Sequence, residues 1–388
     1  MNTLALEKLQ EAIREEGLDG WLFYNFHHRD PLADELLGLS VDSTNSRPWF
    51  YMVPERGNPV KLVHAIEASI LDSLPGTKVL YSGKDQLNQS LRQFAGKTLA
   101  AHRDNNLPVI SFLDAGTTEN LAHAGIQVVS AASLIQRIKG LLSEEDLESH
   151  KRAALGLYEI VEETWQVVSE HFHTNKTLYE GDIQSLILRG MEKRNLFTDH
   201  PPIVAAGAHA GDPHYEVSRK GSPVLKGEII QLDLWARESG QRAIYADISW
   251  VGFYGTEIPS PLKTIFQDLV DSRERALDYI NENLSRGIRP TGAAVDREVR
   301  KLLIARGYEG AIQHRTGHGI DTECHGSGVN IDSIEFPDDR KLLDGACFSI
   351  EPGLYFNDYG FRTEIDVYIY QNHAYISGKE RQFTLLTP

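Results

Sequence analysis

Over the first 140 positions the apolar residues alternate between two spacings. Leu4, Leu6, Leu9 and Ile13 form a rough helical stripe that Gly17 closes, predicting an N-terminal helix. The run W-L-F-Y-N at 21–25 reads as a buried strand, and further strands are predicted at 48–53, 59–64, 78–81 and 108–112. Between them lie helical patterns at 65–74, 84–94 and 117–124. Strands and helices alternating at this length predict an α/β layer. Because no helix is evident between the first two strands, its sheet is expected to be mixed. The polar cluster His27, His28, Arg29 and Asp30 after the first strand reads as a solvated loop.

The pattern changes near residue 140. Ser143 followed by Glu144, Glu145 and Asp146 has the form of a helix N-cap with acidic residues in the first turn. Leu147, Ala154, Leu157, Ile160, Val161 and Trp165 continue that helix for about thirty residues at helical spacing. Further helices are predicted at 180–194, 261–284 and 293–306, and strands at 228–236, 243–251, 346–351 and 361–370. A chain of 388 residues exceeds the roughly 250–300 residues at which one core stops growing. Two domains are therefore expected, 1–142 and 143–388.

Composition narrows the classes. With 41% hydrophobic residues the chain is globular, and its formal net charge of −16 disfavours nucleic acid and anionic membrane faces as partners. The first residues carry charges too densely for a signal-peptide core, and no apolar window reaches about 18 residues, so a cytoplasmic location is expected. Cys324 and Cys347 are too few for a disulfide framework and read as small buried side chains.

The chemistry begins with two aspartates in apolar strands. In E-I-I-Q-L-D-L-W-A (228–236), Gln231, Asp233 and Trp235 share the face opposite Ile230, Leu232 and Leu234. In A-I-Y-A-D-I-S-W-V (243–251), Asp247 lies opposite the face of Ile244, Ile248 and Trp250. A hairpin turning through Ser239, Gly240 and Gln241 would set Asp233 and Asp247 directly across from each other, an arrangement that is costly unless a cation lies between them. Glu351 in C-F-S-I-E-P-G-L and Glu364 in F-R-T-E-I-D repeat the theme, in strands joined through residues 357–360 with a bulge or strand end at Pro352. His318 sits between Gly317 and Gly319, which argues for a loop or strand end where the backbone approaches something closely. Imidazole and carboxylates together suit Mn, Fe, Co or Zn. The spacing of the cysteines offers no thiolate ligand.

Taken in order and with these flanks, Asp233, Asp247, His318, Glu351 and Glu364 resemble the five ligands of the pita-bread-fold metallopeptidases, the group of methionine aminopeptidases, Xaa-Pro aminopeptidases and prolidases. The resemblance runs from about Ser143 to the C-terminus. The first domain resembles the creatinase-type domain of the proline-specific members. It implies an α/β N-terminal domain followed by an α+β pita-bread catalytic domain that holds two divalent ions, manganese favoured, with cobalt, zinc or iron as alternatives. Asp233 would hold one ion, His318 and Glu351 the other, and Asp247 with Glu364 would bridge them. His214 and His325 would flank the scissile bond, with Glu351 carrying a proton. His314 would contact substrate and Arg362 would orient ligands.

The chain also departs from the family. The segment between Asp233 and Asp247 is three residues longer than usual, Gly326 stands where many relatives carry an acid, and Ile365 where an aspartate is frequent. The expected function is hydrolysis of Xaa-Pro bonds in small peptides, dipeptides favoured, by a homodimer or larger assembly. The alternatives are a metal-dependent hydrolase of a non-peptide metabolite and a non-catalytic binding module of the same fold.

Overall fold

In the computed structural model, residues 3–240 and 242–388 are described, with side chains from Ala5 onward. Leu4 of the predicted stripe and Gln241 of the predicted turn therefore lie outside the described side chains. The chain divides into two compact units, Met1–Ile138 and Lys139–Pro388. No helix among the described residues is long and apolar enough to cross a membrane.

The first unit contains α1 (Thr3–Glu15), β1 (Gly20–Asn25), α2 (Pro31–Leu37), β2 (Trp49–Pro54), β3 (Val60–His64), β4 (Thr77–Tyr81), α3 (Lys84–Leu91), β5 (Thr98–Ala101), α4 (Ala115–His123), β6 (Gln127–Ser130) and α5 (Ala132–Ile138). Its sheet has the order β4-β3-β2-β1-β5-β6. The β1–β2 and β2–β3 pairs are antiparallel, while β3–β4, β1–β5 and β5–β6 are parallel, so the sheet is mixed as predicted. Period-2 alternation sends Trp21, Phe23, Tyr51 and Val53 into one core and Leu22, Phe50, Met52 and Leu62 into the other.

Several expectations for this unit fail. A short helix, α2, does join β1 to β2: Asp30 caps it by accepting from the Ala33 N–H, and Pro31 occupies its first turn. The cluster at 27–30 is thus no plain solvated loop, since Asp30 is buried and meets His102 Nδ1 at 2.6 Å. Residues 108–112 form no strand but a single 3-10 turn, Pro108–Ile110. Proline brings no N–H to a ladder, and the sheet positions belong to β5 and β6, which the sequence reading missed. Nor do 65–74 form a helix. Only Ala65–Glu67 makes a 3-10 turn, and the Leu71 and Leu74 carbonyls instead accept from the buried Lys61 Nζ.

The second unit opens with α6 (Glu144–Thr174), whose Ser143 and Asp146 form a reciprocal capping box. It continues through α7 (Glu180–Lys193), β7 (Leu196–Phe197), β8 (Ile203–Ala206), β9 (Ile229–Glu238), β10 (Ala246–Phe253), α8 (Ser260–Leu284), α9 (Gly292–Ala305), β11 (Cys347–Ile350), β12 (Gly353–Tyr355), β13 (Gly360–Arg362), β14 (Ile365–Tyr370) and β15 (His373–Ile376). Ile230, Leu232, Leu234 and Ile248 pack against Ile160, Val161 and Ile187 of α6 and α7. A second core joins Phe266 and Val299 of α8 and α9 to Phe348, Phe361 and Val367. Polar side chains on the face of β9 and β10 turned away from α6 are left between these layers.

Two register expectations are corrected. In the β9–β10 hairpin Asp247 pairs with Trp235 and Asp233 with Ser249, so the aspartates are diagonal rather than opposite. The strands end before the predicted tight turn, because the Tyr245 N–H bonds the Asp321 carbonyl and draws the chain out of the ladder. The offset is two residues, and parity keeps both carboxylates on one face. The predicted strand 361–370 is broken at Thr363 and Glu364, where the Glu364 N–H bonds Ser249 O. β11 pairs with β14 and β12 with β13, as two separate ladders.

Candidate metal centre

His318 lies on extended backbone that runs beside β11. Its carbonyl accepts from the Ser349 N–H at 2.9 Å, and its own N–H donates to Ser349 Oγ at 3.0 Å. The flanking glycines are required by close approach. A Cβ on Gly317 would stand 2.0 Å from Ser349 O, and one on Gly319 2.7 Å from the Gly328 carbonyl carbon. The His318 imidazole then meets Glu351 Oε1 at 3.3 Å and Asp247 Oδ2 at 3.6 Å.

The structure brings Asp233, Asp247, His318, Glu351 and Glu364 together. Asp233, Asp247 and Glu364 offer carboxylate oxygens within 4.8 Å of one another, and a His318 nitrogen lies equally close to oxygens of Glu351 and Glu364. Ser249 Oγ stands 2.9 Å from Asp233 Oδ1 and 3.0 Å from Glu364 Oε2. Its single proton can serve only one of them at a time. Arg362 Nη2 pairs with Asp233, Nε donates to Ser249 Oγ at 3.1 Å, and Nη1 reaches both Pro213 O and Tyr355 Oη at 3.1 Å.

The donor set fits a cation. Asp247 Oδ1 and Glu364 Oε1 are buried without a hydrogen-bond partner among the described residues, which is expensive for carboxylates. Burial first, and then the neighbouring carboxylates, push Asp247 and Glu364 well above the ordinary carboxyl range. Burial likewise lowers His318, favouring the neutral imidazole that ligates metals. Burial acts to raise Glu351, but the His318, His314 and Arg362 charges outweigh it and hold that carboxyl down at about 2. Two ligands about 2.1 Å from one ion stand roughly 3.4 Å apart in tetrahedral geometry, close to the His318–Glu351 separation.

The accessory residues divide. His325 stacks edge-on against His318 with ring centroids 4.3 Å apart, and its pKa is pushed down to about 4, first by that imidazole and then by burial. His314 Nε2 meets Tyr355 Oη at 2.8 Å. His214 is exposed on the loop beside Pro213, anchored through its N–H to Asp212. Sequence reading missed Ser249, although its two-residue spacing from Asp247 puts it on the same face, and it missed Tyr355. It also excluded a thiol. Cys324 Sγ lies 3.1 Å from Asp247 Oδ2, and Asp247, His318 and Cys324 form a third convergent donor set. Linear spacing missed it because the loop after His318 folds back onto β10.

An α/β unit followed by a pita-bread unit with a buried carboxylate and imidazole cluster defines a class of metallohydrolase. Residues 148–371 match metallopeptidase family M24, and the chain belongs to that family. It is 30% identical over 175 residues to an Xaa-Pro dipeptidase of Lactobacillus delbrueckii subsp. lactis, covering 45% of this chain and 43% of that one. The chain thus matches less than half the length of that relative. It is 23% identical over 331 residues to a probable dipeptidase PepE of Mycobacterium tuberculosis, covering 83% and 81%. Its fold superposes on the dipeptidase PepE of Mycobacterium ulcerans with a TM-score of 0.70 at 20% identity, over 99% and 97% of the two chains.

Proposed function

We propose that the protein is a metal-dependent exopeptidase that hydrolyses Xaa-Pro bonds in short peptides, dipeptides above all. The observation that carries this reading is the convergence of Asp233, Asp247, His318, Glu351 and Glu364, two of whose buried oxygens have no hydrogen-bond partner among the described residues, in a member of family M24. Relatives named as dipeptidases support the short substrate.

Asp233 would hold one ion, His318 and Glu351 a second, and Asp247 with Glu364 both; manganese suits the oxygen-rich part of this set. When bound, divalent cations polarise a carbonyl and acidify water near neutral pH. Glu351, kept ionised by Arg362 and the imidazoles beside it, would accept a proton and return it to the leaving nitrogen. His325, held largely neutral, can donate a hydrogen bond to developing negative charge, with His214 supplying a second donor from its loop. His314 is fixed by Tyr355 to meet the substrate. An Xaa-Pro bond has no amide N–H, so recognition must come from shape and from the peptide ends.

The test compares kcat/KM for Ala-Pro, Ala-Pro-Ala and Ala-Ala, before and after chelation. Ala-Pro is expected to be preferred, and chelation to abolish its hydrolysis. A preference for Ala-Ala would overturn proline specificity, one for Ala-Pro-Ala the dipeptide limit, and full turnover without metal the centre itself.

A further inference from the structure

We propose that Cys324 is a sixth protein donor of this centre, its sulfur joining Asp247 and His318 on one cation and biasing the site toward zinc, cobalt or iron over manganese and magnesium. The inference rests on the metallopeptidase reading above and deepens it.

Three observations carry it. The Cys324 S–H donates to Asp247 Oδ2 at 3.1 Å, so the sulfur already stands beside a carboxylate oxygen of the centre. The sulfur, the Asp247 oxygen and a His318 nitrogen all lie within 4.8 Å of one another, so the thiol belongs to the same convergent set as the imidazole. Asp247 is 5% exposed, and its other oxygen, Oδ1, has no hydrogen-bond partner among the described residues, so the thiol approaches a carboxylate that still lacks a ligand.

A structural cysteine explains this placement less well. The chain's other cysteine, Cys347, is buried in an apolar strand beside His150 and touches none of the carboxylate ligands. Cys324 is only half-buried, on the loop that carries His325. Coordination would break the S–H bond, place a sulfur electron pair on the cation and release the proton to water. Thiolate is a soft ligand that zinc, cobalt and iron accept more readily than the hard ions manganese and magnesium do. Sulfur therefore opposes the manganese preference that the oxygen donors alone would set.

The experiment titrates metal-free protein with cobalt(II) and follows two spectral regions in the wild type, Cys324→Ser and Cys324→Ala. Visible d–d bands report that the carboxylate and imidazole site has filled. A near-ultraviolet sulfur-to-cobalt charge-transfer band reports a bound thiolate. The expected result is both in the wild type, with the charge-transfer band lost and the d–d bands kept in the variants. The ratio of zinc to manganese affinity should also fall on the order of tenfold in the variants. Visible bands without the charge-transfer band in the wild type would overturn the sulfur ligand and leave the peptidase centre standing. A charge-transfer band that survives Cys324→Ser would assign it to Cys347 and also overturn the proposal. Absence of visible bands would remove the centre on which both readings rest. Should the variants fail to fold, X-ray absorption on the zinc-loaded wild type decides: a sulfur scatterer near about 2.3 Å supports the ligand, and a shell of nitrogen and oxygen alone overturns it.

Discussion

Asp233 faces Ser249 across the β9–β10 hairpin, two pairs along the ladder from Asp247, which faces Trp235. The diagonal offset keeps two buried carboxylates on one face while placing the Ser249 hydroxyl between Asp233 and Glu364. Asp247 therefore has no hydroxyl to quiet it on Oδ1, and its carboxyl is pushed well up by burial and by Asp233.

Replacing Asp247 with Asn should follow from that imbalance. The shape is kept while a ligand charge is lost, so kcat is expected to fall at least about a hundredfold. In chelator the variant should melt no lower than the wild type, because a repelled buried charge has gone. With metal added, only the wild type should gain substantially in Tm. Turnover, circular dichroism and melting on one preparation check this, and unchanged turnover would remove Asp247 from the centre.

Much of the candidate site was legible because Asp233 and Asp247 sit at fixed parity on apolar strands. Alternation placed Asp233 and Asp247 on one face whatever the register, and the glycines around His318 announced a close backbone approach. The register itself was not legible. It depends on Tyr245 bonding Asp321 O, a contact between segments far apart in sequence. The break at Thr363 and Glu364 has the same origin, since Arg273 Nη1 donates to Thr363 Oγ1 and Ser249 O takes the next N–H. The approach of Cys324 to Asp247 was not legible because no local spacing links the two. In the first unit, β5 and β6 were missed because Thr98–Ala101 and Gln127–Ser130 are short runs without a strong apolar pattern.

Arg362→Lys separates charge from orientation. A lysine can keep an ion pair with Asp233, but it cannot at the same time serve Ser249 Oγ, Pro213 O and Tyr355 Oη as the guanidinium does. Metal affinity and kcat are expected to drop roughly 10- to 100-fold. Wild-type values for both would show that charge alone suffices.

Glu180→Gln tests the loop that carries His214. The fully buried Glu180 accepts from Ala206 N and His209 Nδ1 on one oxygen and from Tyr215 Oη and Ser222 N on the other. An amide turns one of those acceptors into a donor facing donors, which costs roughly 1–3 kcal/mol. The loop between His209 and Tyr215 should loosen, raising KM for Ala-Pro more than it lowers kcat. A loss of stability with KM unchanged would make the network purely structural.

The last prediction concerns acid. His150 is fully buried, with Nδ1 at 2.7 Å from Tyr245 O and Nε2 at 2.7 Å from Ser377 Oγ. The neutral tautomer satisfies both contacts, since Nδ1–H donates to the carbonyl and Nε2 accepts the serine proton. Protonating Nε2 would turn that contact donor to donor unless the serine proton rotated away. Cys347 Sγ lies 3.6 Å from Nε2 and Asp366 Oδ2 3.9 Å, but burial raises the Asp366 carboxyl well above its usual range, so it offers little compensating charge. Burial accordingly pushes His150 down to about 4 from 6.5, with Lys151 adding to the shift and the Tyr245 carbonyl opposing it. Because the folded value is the lower one, the unfolded chain takes up the proton first. Stability from this residue is complete above about pH 6.5, declines as pH falls toward 4, and changes no further below that. The span corresponds to about 3 kcal/mol. Urea midpoints measured in chelator from pH 7.5 to 4.5 should fall more steeply for the wild type than for His150→Gln, even though the variant starts lower at neutral pH. Parallel slopes would show that the buried imidazole does not set the acid limit of the fold.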